Sequence, residues 1–206
     1  MSPGHRSRRG TTVSTLMSAL LRVSRAIDHL NRFIGRAMVL PLLAAVFISA
    51  GNALSRKLFS LSSNAWIEVQ WQLFAIAFLG CAGYVLMVDE HVRVDAWSRR
   101  WSPRLRAHID AVVLAFVALP LTLLFGGFGW PLFVRAYVMN ESSFNAGGLI
   151  AWPMTLCIPL GMALLGLQVL SELVRRIAYL RGLAPQPTLA EADLPPLLRA
   201  NHRQGA

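Results

Sequence analysis

The sequence predicts an all-α integral membrane protein. It is read as four transmembrane helices with both termini inside, an N-terminal amphipathic interface helix, and a short cytoplasmic interface helix between spans two and three. Three observations predict this class. Only 15% of the 206 residues are charged while 55% are hydrophobic, against about 25% charged in soluble domains. Charge is absent from four runs, Ala37 to Leu54 (18 residues), Val69 to Val88 (20), Ala111 to Val134 (24) and Ser142 to Ser171 (30), and a bilayer core needs roughly 20 apolar residues as helix. Lys and Arg are sorted around those runs: 17 of the 20 fall in the N-terminal, middle and C-terminal segments, and 3 in the other two loops. Basic residues collect on the cytoplasmic side, so the termini and the middle loop are read as inside.

Taken in order, residues 1–13 read as a disordered basic N-terminus and residues 14–36 as the interface helix. Leu16, Leu20, Val23, Ile27, Leu30 and Ile34 step by four and three, and Arg22, Arg25, His29, Arg32 and Arg36 repeat the pattern two residues later. Two residues are about 200° of rotation, so the basic stripe opposes the apolar one. The pattern suits a helix on the inner membrane face; docking on a soluble partner is the alternative. The four-helix membrane domain is expected over residues 37–180, with spans near 37–55, 66–88, 108–134 and 149–172. The first uncharged run is longer than a signal-peptide core, and no A-x-A site follows it, so an uncleaved anchor is expected. Residues 181–206, rich in proline, are expected to form a flexible cytoplasmic tail.

Between spans two and three lies "DEHVRVDAW", Asp89 to Trp97. Asp95 can cap a short helix from Ala96 to Trp101, and Ser102-Pro103 reads as a second N-cap with proline at the first helical position, opening a helix that runs into span three. Val94, Trp97, Trp101 and Leu105 share one face, suited to a headgroup layer beside arginines. The same segment invites a metal reading through Asp89, Glu90, His91 and Asp95. It is rejected because Glu90 and His91 are adjacent, no second histidine is nearby, and Arg93 would repel a cation. No nucleophile elbow or phosphate loop is present, so catalytic, cofactor and metal sites are all expected to be absent. Cys81 and Cys157 sit in apolar runs as small hydrophobes. The net charge of +10 flanks the apolar runs rather than forming a nucleic-acid surface.

Polar residues near span ends are the remaining candidates. Trp66, Glu68 and Gln72 open span two; they are either solvated or a polar seam toward another protein. Ala77, Gly80 and Gly83 in span two, and Gly126, Gly127 and Gly129 in span three, make small faces that pack either on the chain's own helices or on a partner.

Three stretches, "SNAWIEVQW" (Ser63 to Trp71), "EHVRVDAWSRRWSPRLRAHID" (Glu90 to Asp110) and "NAGGLIAWP" (Asn145 to Pro153), resemble the small membrane subunit of TRAP transporters, the DctQ family. The likeness covers roughly Ala26 to Leu180. Val69 departs from it, since many members carry a second acid there, which undercuts any role for an acidic pair. The Ser-Asn-Ala-Trp and Asn-Ala-Gly-Gly stretches look most like the branch labelled for mannitol or chloroaromatic acids. The resemblance implies a tripartite, sodium-coupled importer of organic acids in the bacterial inner membrane. Its partners would be a large permease subunit and a periplasmic substrate-binding protein, with anionic phospholipids around the basic segments. Trp66, Glu68, His91, Arg93, Asp95 and Asn145 match the family pattern and are carried over as contact positions. A small membrane enzyme or electron carrier is the alternative, and would need paired histidines or clustered acids within the spans. A self-sufficient oligomeric carrier is the third reading.

Overall fold

The structure, a computed structural model, describes residues 5–60, 63–88, 102–143 and 148–184. The described residues are almost entirely helical: α1 (His5–Ala37), α2 (Val39–Phe59), α3 (Asn64–Val88), α4 (Pro103–Val113), a π-helical turn (Leu114–Ala118), α5 (Leu119–Val138) and α6 (Trp152–Leu180). Four rods are long and apolar enough to cross a membrane: Met17–Phe59, Asn64–Val88, Pro103–Val138 and Trp152–Leu180.

Two of these rods are composite, and proline explains why. Pro41 has no N–H to give Ala37, so the ladder breaks at that turn. Met38 settles at φ −67°, ψ −11°. The bonds Met38 N–H to Ile34 O (3.0 Å) and Leu42 N–H to Met38 O (3.4 Å) carry the helix across the break. In the third rod Pro120 cannot donate to Phe116, and the chain widens into the π-helical turn, where Leu119 N–H reaches back to Leu114 O. Such single wide turns are a common answer to an interrupted ladder. At the start of that rod Pro103 takes the first helical position, and the Ser102 hydroxyl accepts from Leu105 N–H at 3.3 Å. The N-cap read from Ser102-Pro103 is therefore present, and α4 runs on through the π turn into α5.

The bundle is organised around α6, which packs against α1, α3, α4 and α5, while α2 lies at the edge, mainly on α3. Close approach is made by small residues. A methyl at Gly161 would stand 2.7 Å from Leu79 Cβ, and one at Gly129 would stand 2.7 Å from Ile158 Cγ2. Gly83 faces Asn31 and the Leu164 carbonyl, Gly80 faces Met38, and Ala77 is buried. Both small faces read from the sequence thus pack largely on the chain's own helices; Gly127 alone of the six positions has open space beside it. Apart from these seams the rods turn large apolar side chains outward, among them Phe47, Phe78, Phe116 and Leu123. Such a surface belongs in lipid or against another apolar surface.

Candidate functional site: two polar ends of the bundle

At the end of the bundle where α1 meets the last turns of α6, a third stripe of α1 is buried. It is neither the apolar stripe nor the basic one. Ser24, Asp28 and Asn31 follow the helical period, and all are under one-tenth exposed. They face Gln168, Ser171 and Arg175, which follow the same period on α6. The Asn31 amide donates to Gln168 Oε1 at 2.9 Å, and the Gln168 amide donates to Asp28 Oδ1 at 2.9 Å. The Ser171 hydroxyl donates to the same Asp28 oxygen at 3.0 Å, and the hydroxyls of Ser24 and Ser171 share a hydrogen bond. Arg175 bridges Asp28 and Glu172, each at 2.7 Å.

The chain of charges continues one turn on. Arg176, 6% exposed, holds Glu172 through one nitrogen and Asp110 of α4 through Nε at 3.3 Å. Three acids and two arginines therefore join α1, α4 and α6. Buried carboxylates and guanidiniums are tolerable only when paired and hydrogen-bonded. Here each acid meets at least one arginine. A relay or cation site would present an open carboxylate, and each of these three acids is paired, while Asn31 Oδ1 and Arg175 Nε are buried without a hydrogen-bond partner among the described residues. Among the described residues no group of three or more His, Cys, Asp or Glu converges as a metal-holding set.

At the opposite end the loop from α5 to α6 is shaped by its backbone. Asn140 takes a left-handed φ of 47°, Ser143 N–H bonds Leu149 O, and Ala151 N–H bonds Glu141 O, both at 2.9 Å. Glu141 pairs with Arg135 at 2.9 Å across an exposed surface. The first turns of α3 clamp this loop from the side. Glu68 is buried, and its carboxylate accepts Leu149 N–H at 2.7 Å. Gln72, one turn on, donates to Ile150 O at 3.2 Å. Trp130, Phe133, Tyr137 and Trp152 form a run of ring contacts 5.6 to 5.9 Å apart at the same end. Amphipathic rings collect at such boundaries.

The residues singled out from sequence are distributed as follows. Glu68 and Gln72 come together on the chain's own loop, while Trp66, beside them, points outward, 53% exposed. On α1, Leu20, Val23, Leu30, Arg22 and Arg25 are exposed, and Ile27 and Arg32 are half-buried. His91, Arg93, Asp95 and Asn145, together with the interface helix placed between spans two and three, lie outside the described residues. The α1–α6 polar network is not among the sites that the sequence points to. Its signal was there in two sets of polar residues at helical spacing, 24-28-31 and 168-171-175, but nothing local says that they face one another.

Residues 45–178 match the family model described as tripartite ATP-independent periplasmic transporters, DctQ component. No curated protein and no solved structure gives a significant match.

Proposed function

We infer the role of this chain from the family it belongs to, the DctQ component of the tripartite ATP-independent periplasmic transporters. The family is the small membrane component of these systems and works with a large permease and a substrate-binding protein; it is a transporter component, not an enzyme family. The proposed reading is a non-catalytic subunit that braces the large permease of a sodium-coupled organic-acid importer in the bacterial inner membrane. In that reading both termini are cytoplasmic and anionic phospholipids surround the basic end. The mannitol or chloroaromatic branch is kept as the starting point for substrate screening.

The observation that carries the bracing role is how the polar groups are used. A carrier must give an organic acid polar partners part-way across the bilayer, since an unpaired charge in hydrocarbon is very costly. Among the described residues the buried polar side chains are Ser24, Asp28, Asn31, Glu68, Thr122, Gln168, Ser171, Glu172 and Arg176. Thr122 bonds its own helix at Leu119 O, Glu68 holds a loop, and the rest knit α1 and α4 to α6. Away from their charged ends, the described helices offer outward mainly apolar surface, including Phe47, Phe78, Phe116 and Leu123. The alternative enzyme or electron carrier would need histidine pairs in the apolar runs, and the four runs contain no histidine. Co-expression with the large permease subunit tests the reading. The two should purify together in mild detergent at constant ratio. Purification of this chain as a separate species, with the large subunit stable and active without it, would refute a brace.

A further inference from the structure

We propose that the α1–α2 rod carries a binding site for one anionic phospholipid, with the headgroup on His29, Arg32 and Arg36 and an acyl chain on Leu40, Leu43 and Phe47. The site rests on the reading above only in taking the basic end as cytoplasmic. His29, Phe33, Arg36, Leu40, Leu43 and Phe47 step by four and three along the rod, with Arg32 at the edge of the same face. The bonds of Met38 and Leu42 carry the helix across the break at Pro41, so the face is continuous. Its composition changes between Arg36 and Leu40: basic apart from Phe33 before, aliphatic and aromatic after. His29 and Arg36 are exposed, and neither has an ion pair among the described residues. Leu40 is 69% and Phe47 73% exposed. A cavity of about 320 Å³ is lined by His29, Arg32, Phe33, Arg36 and Ala37.

The dimensions choose the occupant. From Arg36 to Phe47 a helix rises about 16 Å, and one leaflet of hydrocarbon is about 15 Å, half of a core of about 30 Å. A soluble anion would use the cationic half alone, and an acidic protein segment would have no use for a leaflet-long apolar strip beneath it. A phosphodiester takes both halves, since guanidinium forks match its oxygens and its chain covers Leu40, Leu43 and Phe47.

The test is native mass spectrometry of the full chain released from nanodiscs of phosphatidylcholine with a minority of phosphatidylglycerol. Wild type should retain one phosphatidylglycerol. The pair Arg32→Gln/Arg36→Gln should weaken that retention by roughly tenfold or more, because each basic residue near an anionic surface adds to the attraction. The pair Arg25→Gln/Arg104→Gln removes equal charge from exposed positions outside the site and should leave it unchanged. Equal loss in both pairs would mean diffuse surface charge and overturn the site. So would retained lipid together with loss of the large subunit from Arg32→Gln/Arg36→Gln complexes, which would make these residues a protein contact. If the double variant fails to fold, Arg36→Gln alone, at an exposed position, should show a smaller loss in the same direction, and no loss would overturn the site. Because lipid retention is read on this chain alone, failure of the wild type to purify with the large subunit would count against the bracing role and leave the lipid result standing.

Discussion

Helices α2 and α6 are both apolar enough to cross a membrane, yet they do opposite things. Seven residues of α6 are buried, among them Gly161, Gln168, Ser171, Glu172 and Arg176; one residue of α2 is buried, Ala45. Hydropathy brings both helices into the bilayer, but in lipid it gives one helix no reason to prefer another. What makes α6 the hub is its glycine at the α3 crossing and its polar residues, in register with those of α1 and α4. What leaves α2 at the edge is a surface of Val46, Phe47, Leu54 and Leu58 with little but lipid-like contact to offer.

The largest expected effect follows from unpairing the hub. Arg176→Leu breaks the bond from α6 to Asp110 and leaves Glu172 with Arg175 alone, and losing one side of a buried pair typically costs about 3–5 kcal/mol. The solubilised chain should lose its thermal transition or melt far lower. A melting point within error of wild type would show that the network is not what binds α4 to α6. Next in size is Gly161→Leu. The crossing with Leu79 has no room for it, and overpacking of this kind costs about 1–3 kcal/mol. The same change at Gly51, on the edge helix with nothing within 4 Å, should be close to neutral, and the contrast can be read from paired melting curves.

Much of this contrast was hidden in the sequence, for physical reasons. The four rods were legible because charge cannot be spared over 18 or more residues unless the segment leaves water. The helix start at Ser102-Pro103 was legible because hydroxyl and proline each have a local role there. The docking face of α1 was not. Its strongest periodic signals are the apolar and basic stripes, whereas Ser24, Asp28 and Asn31 are few, and their partners lie 137 to 147 residues away. For Glu68, sequence raised the right residue but could not identify its partner, because a backbone N–H at Leu149 carries no side-chain pattern.

That loop clamp supplies a smaller effect. Glu68→Ala should orphan the buried Leu149 N–H, at about 1–3 kcal/mol, whereas Glu68→Gln keeps an acceptor and should cost less than half as much. Thermal melting of the two variants side by side measures this. Equal destabilisation would mean that the charge, not the hydrogen bond, is what matters at this end. Smallest of all is Phe47→Ala on α2. The side chain is mostly exposed, and surface changes usually stay within about 0.5 kcal/mol, so the melting point of the isolated chain should barely move.

We propose that a hub whose acids are all paired and an outward apolar surface make a brace and not a carrier. Sodium-driven uptake into proteoliposomes tests it most directly, with a labelled substrate of the cognate binding protein. Liposomes holding this chain alone should take up no more than empty ones, and uptake should appear when the large permease subunit is co-reconstituted and the binding protein is added outside. Sodium-driven uptake by liposomes containing only this chain would contradict the account.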